Sequence, residues 1–155
     1  MAAAICQLRP EARGSVTIKS GDPMAAPAIQ PNYLSTEGDR ATMVAGMKLL
    51  RNIMGQPAMM PYVAAEYEPG PQAASDAALL EYIRDKGFTI YHPSCTCKMG
   101  SDAGAVVDDR LRVRGLAALR VIDASVMPAV VSGNTNAAVV MIAEKGADMA
   151  LEDAR

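Results

Sequence analysis

The sequence predicts a mixed α+β chain on three observations. Two capped stretches carry a helical apolar stripe, a short stretch near the N-terminus alternates polar and apolar residues, and a series of brief apolar segments ends in a helix apolar on every side.

In chain order, Ser15-Val16-Thr17-Ile18-Lys19 alternates as a half-buried strand over 15–19 should, and Gly21-Asp22-Pro23 supplies a turn. The prolines that follow favour extended, polyproline-like backbone. Ser35 is placed to cap a helix over 36–54, whose stripe is Met43, Val44, Met47, Leu50 and Met54 and whose stop is Gly55-Gln56-Pro57. Residues 57–74 hold four prolines and little periodicity, so an ordered loop is expected. Ser75 opens a second helix over 75–86 with Leu79, Leu80, Tyr82 and Ile83 inward, closed by the charge of Lys86 and a left-handed Gly87. Residues 88–91 then read as a short strand. Further brief strands are expected at 105–107, 111–113 and 119–122, separated by Asp108-Asp109, Gly115 and Asp123. The last helix, 135–150, is apolar around its first two turns, which suits a helix surrounded by protein.

With 155 residues, half of them hydrophobic, the chain has material for a globular core rather than a disordered tail. A net charge of -2 with scattered basic residues gives no electrostatic footprint for nucleic acid or an anionic membrane. The longest apolar run, 137–143, falls well short of the roughly 20 residues that cross a bilayer, so no membrane span is expected. The opening MAAAICQLRP lacks the basic leader and apolar stretch of a secretory signal, which points to the cytoplasm. Cys6, Cys95 and Cys97 are an odd set and are expected as reduced thiols.

The single histidine, His92, stands in YHPSCTCKMG where a strand would run into a loop. The residues alone leave it as a structural imidazole or as a proton acceptor. His92, Cys95, Cys97 and Cys6 number enough for a zinc ion, but H-x-x-C-x-C is not a structural zinc spacing, so no metal is expected. SGNTN precedes the last helix, whose first N–H groups favour a negative partner. Asn134 there is either an N-cap or part of a site. Asp123, after LRVI, can equally cap the next turn.

YHPSCTCKMG, followed by AVVDDRLRVRGLAALRVIDASVMPAVVSGNTNAAVVMIAEKGADM, closely resembles the C-terminal signature stretches of the glucose–methanol–choline oxidoreductases. CQLRPEARGSVTIKSGDP and PAIQPNYLSTEGDRATM are similar to the start of that family's substrate-binding region, most of all in its choline- and alcohol-dehydrogenase branch. The resemblance implies an FAD-dependent enzyme that moves hydride from the CH–OH group of an alcohol to flavin. His92 then corresponds to the active-site histidine that takes the hydroxyl proton, and Asn134 to the group that orients the oxygen. Asn134, Thr135 and Asn136 are implied to lie by the flavin ring, and Asp123-Ala124 by its ribityl and pyrophosphate part. Residues 1–97 would be a substrate-domain portion and 98–155 the return to the FAD-binding α/β domain.

Ser94-Cys95 and Arg114 depart from the family's usual residues and suggest a different pocket shape. No G-x-G-x-x-G fingerprint is present: Gly100 and Gly104 have the wrong spacing and no following helix. The expectation is therefore a fragment or truncated product, inactive alone, with a separate FAD-binding chain as its partner. A noncatalytic remnant that keeps the substrate-domain fold is the alternative.

Overall fold

A computed structural model describes residues 2–155. The chain mixes helices with one small sheet and divides into two compact units, the first ending at Phe88 and the second being Thr89–Arg155.

In the first unit, β1 (Ser15–Thr17) pairs antiparallel with β2 (Ala28–Gln30), Val16 facing Ile29. The alternating stretch gives a strand of 15–17 rather than 15–19, and it is exposed rather than half-buried. β2 arises inside the proline-rich stretch expected as polyproline-like backbone. Pro27 and Pro31 flank it, so their missing N–H groups interrupt no ladder bond.

Helix α1 (Glu37–Met54) is capped by Thr36, not Ser35: the Thr36 hydroxyl accepts from Asp39 N at 3.1 Å. Helix α2 (Asp76–Lys86) is capped by Ser75, whose hydroxyl accepts from Ala78 N at 3.2 Å. Val44 of α1 packs with Leu79 and Ile83 of α2 and with Ala73, while Leu80 lies at the edge of this core. Gly87 ends α2 without the left-handed turn expected of it, at φ −63 and ψ 140. Glycine is required there because a Cβ would strike the Ile83 carbonyl oxygen, which accepts from Gly87 N at 2.8 Å.

Residues 57–74 form a loop with one 3-10 turn, Met60–Tyr62. Arg51 of α1 orders its second half by donating to Ala73 O at 2.7 Å, to Gly70 O at 3.0 Å and to the Glu66 carboxylate. Asp39, 2% exposed, accepts from the backbone N–H groups of Glu11 (2.9 Å) and Ala12 (2.8 Å) and from the Gln7 amide, tying the N-terminal segment to α1.

Residues 88–91 do not form the expected strand. They find no ladder partner among the described residues, and Phe88 and Tyr91 are 81% and 80% exposed. In the second unit the three expected strands reduce to isolated bridges: Met99 with Val107, Val107 with Val113, and Arg112 with Arg120. Left-handed backbone at Leu111, Gly115 and Ala118 turns the chain back before any ladder can extend. The inward residues still pack, with Val107, Leu111, Val126, Met127 and Ile142 as the buried core.

Helix α3 (Asn136–Asp153) presses Ile142 and Gly146 into that core. A Cβ at Gly146 would lie 2.5 Å from Ile122 Cγ2, so this glycine sets how closely the helix approaches. Among the described residues α3 is covered on one side only, and Val140, Met141 and Leu151 are exposed. Its C-terminal end is held by Arg110, which donates to Asp153 at 2.7 Å and to Met149 O at 3.2 Å, and by Arg120, which also meets Asp153. No helix among the described residues is long and apolar enough to cross a membrane.

Candidate functional site

His92 sits on a loop with left-handed backbone on both sides of it, at Tyr91 (φ 60) and Cys95 (φ 71). Neither residue is glycine, so the conformation costs of order 1–3 kcal/mol at each position. Three bonds hold the loop from Cys95 onward: Cys95 N donates to Ala124 O (3.3 Å), Cys97 N to Ser125 O (2.9 Å) and Met99 N to Val126 O (2.8 Å). All three acceptors belong to one 3-10 turn, Ala124–Val126. Asp123 caps that turn by accepting from Ser125 N at 2.7 Å. The local reading of Asp123 as a cap is thus realised, and through the turn it supports the histidine loop.

The second arm is Ser132-Gly133-Asn134-Thr135, leading into α3. Gly133 has φ 153, a region closed to L side chains, and this lets the chain present Asn134. His92 Nε2 lies 3.3 Å from Asn134 Oδ1, and His92 Nδ1 lies 2.9 Å from Thr135 Oγ1. Both imidazole nitrogens are therefore engaged by neighbouring residues that stand 42 and 43 positions further on.

Thr135, not Asn134, occupies the N-cap position of α3, and Asn136 is the first helical residue. Thr135 is 7% exposed; its backbone is already helical (φ −80, ψ −15), its side chain makes no capping bond, and its hydroxyl lies against the imidazole. Among the described residues the N–H groups of Asn136, Ala137 and Ala138 have no hydrogen-bond partner. Unsatisfied donors and the positive end of the helix dipole thus lie next to the His92–Asn134 pair, and a group with negative charge or carbonyl oxygens fits them. Asp123 and Ala124 lie at the turn that backs the histidine loop.

Among the described residues no three His, Cys, Asp or Glu side chains converge as a metal site, and the three cysteines are free. The Thr135–His92 bond is the feature that sequence reasoning missed. A threonine before a helix reads first as a cap, and nothing local in the sequence signals that its hydroxyl is diverted.

Residues 10–143 match the family model described as GMC oxidoreductase. The chain is 49% identical over 145 residues to an alcohol dehydrogenase [acceptor] of Pseudomonas putida, covering 94% of this chain and 26% of that protein. It is 50% identical over 141 residues to an oxygen-dependent choline dehydrogenase of Pseudomonas savastanoi pv. phaseolicola, covering 91% and 25%. Among solved structures, an FAD-dependent oxidoreductase from Chaetomium thermophilum superposes with a TM-score of 0.89 at 30% identity, covering 96% of this chain and 26% of that one. The chain spans about a quarter of the length of the relatives it matches.

Proposed function

The chain belongs to the GMC oxidoreductase family, and we propose that it supplies the alcohol-facing pair and part of the flavin bed of an FAD-dependent enzyme acting on the CH–OH group of choline or a primary alcohol. The observation that carries this reading is the meeting of His92 and Asn134 beside the uncapped start of α3.

FAD, when bound, would supply the hydride acceptor. The chain's own part is to bind and orient the alcohol and to take its proton. His92 Nε2 is the proton acceptor for the hydroxyl, and an imidazole is suited to this near neutral pH. Asn134 uses its amide in both senses: Oδ1 faces the imidazole, while Nδ2 has no partner among the described residues and is free to donate to the alcohol oxygen as negative charge grows there. The free N–H groups of Asn136, Ala137 and Ala138 fit the electron-rich pyrimidine side of a flavin, with Thr135 and Asn136 at its edge. Asp123 and Ala124 would meet the ribityl and pyrophosphate part. In this reading residues 1–97 belong to the substrate side, and 98–155 return to the FAD-binding α/β domain. That domain, in the same or a separate chain, would cover the exposed Val140, Met141 and Leu151 of α3.

The test is reconstitution. The chain is mixed with FAD and the flavin-binding domain of an alcohol dehydrogenase relative, and the visible spectrum is followed through gel filtration. Flavin bands that co-elute with the chain only when that domain is present are expected. Flavin that elutes free in every mixture would overturn the reading and leave a noncatalytic module with the family's fold.

A further inference from the structure

We infer that Thr135 is the positioning residue for His92: its hydroxyl fixes the imidazole at Nδ1, which leaves Nε2 as the nitrogen that exchanges a proton with substrate. The inference rests on the proposed role of His92, but its geometry stands independently of any bound flavin.

Thr135 stands directly before α3, and with φ −80 and ψ −15 its backbone is helical rather than the extended form from which a hydroxyl makes a capping bond to the first turn. It makes no such bond and instead lies 2.9 Å from His92 Nδ1, while the helix start keeps its donors free. Burial of the Thr135 side chain limits competition from water for that contact. The Thr135 hydroxyl thus holds the ring from the start of α3.

A hydroxyl is the group suited to this position, because it both donates and accepts. With Asn134 Oδ1 facing Nε2, a neutral ring carries its proton on Nε2 and Thr135 donates to Nδ1. Before an alcohol presents its O–H to Nε2, the ring gives its Nε2 proton to water and takes one from water on Nδ1, and Thr135 then accepts. Proton transfer breaks the alcohol O–H bond, leaves its electron pair on oxygen and forms Nε2–H. The resulting imidazolium keeps Nδ1–H on Thr135 Oγ1. The hydroxyl only rotates about its C–O bond through these states, so the ring plane is preserved.

His92 is the only histidine in the chain, so its ring signals need no assignment in a sample carrying 15N-labelled histidine. In the Nδ1-protonated ring the Nδ1–H proton should be visible and exchange with water about tenfold more slowly than in Thr135→Val, the factor matching loss of one net hydrogen bond. Thr135→Ser should restore the protection. In the Nε2-protonated ring the Nδ1 resonance of wild type and Thr135→Ser should share a hydrogen-bond shift that Thr135→Val lacks. Equal Nδ1 signals and equal exchange in wild type and Thr135→Val, with unchanged methyl spectra reporting an intact fold, would overturn the inference. The two proposals fail separately: loss of the Nδ1 bond is read in this chain alone, whereas failure of the oxidoreductase reading appears only as absent flavin retention in the reconstituted mixture.

Discussion

Asp39 is a buried carboxylate whose surroundings constrain substitution. Burial by itself would raise its carboxyl, but the N–H groups of Glu11 and Ala12, together with the Gln7 amide, hold it below the usual aspartate range. Because the folded pKa is depressed, its stabilising effect is complete above the unfolded value and is lost as pH falls through the folded one. Urea unfolding of the chain should therefore show stability declining below about pH 4, and Asp39→Asn should flatten that decline. The same substitution should cost about 1–3 kcal/mol at neutral pH, since an amide NH2 would face a backbone donor. An Asp39→Asn midpoint equal to wild type would contradict the role given to this carboxylate. At Gly133, alanine meets no side-chain obstacle but must adopt φ 153, so the expected penalty of about 1–3 kcal/mol is one of backbone strain alone. Loss of the His92–Asn134 contact in Gly133→Ala, read from the single histidine's ring signals, would accompany it.

Helix ends divide cleanly between what the sequence discloses and what it does not. The span of α1, its apolar stripe and its stop were legible because period, glycine and proline agreed, yet its cap was displaced by one residue from Ser35 to Thr36. Adjacent serine and threonine carry the same capping chemistry, and it is Thr36, with extended backbone, whose hydroxyl reaches Asp39 N. Thr36→Ala should accordingly destabilise by about 1 kcal/mol, while Ser35→Ala should stay within about 0.5 kcal/mol of wild type, as judged by denaturant midpoints. At the far end of the chain, Asp153 is held below the usual aspartate range chiefly by Arg110, against burial and with help from Arg120. Its contribution to anchoring α3 is also lost at acid pH, and amide exchange of the last α3 turn should quicken there before the Ile142 region opens. Uniform exchange along α3 at low pH would argue against that anchor. The brief segments at 105–107, 111–113 and 119–122 were recognisable as inward-facing residues but not as bridges. Alternation reports which side is buried, whereas ladder length depends on left-handed turns at Leu111 and Ala118, which nothing in those residue types requires.

At the scale of the whole molecule, the mixture of helices with a small sheet and the family were accessible from sequence, the family through the order and spacing of YHPSCTCKMG and SGNTN. The Thr135 hydroxyl and the failure of 88–91 to form a strand were not, because each depends on what lies next to it in space rather than in sequence. The exposed Val140, Met141 and Leu151 follow the same logic: a helix apolar on every side shows that cover is needed without saying where the cover resides. The most direct measurement is the rate at which an alcohol bleaches the flavin of the reconstituted complex, compared between the wild-type chain and His92→Gln. A fall of about 10²–10⁴-fold with flavin retained is expected for loss of the proton acceptor. Equal bleaching rates would contradict the central claim and remove His92 from the chemistry.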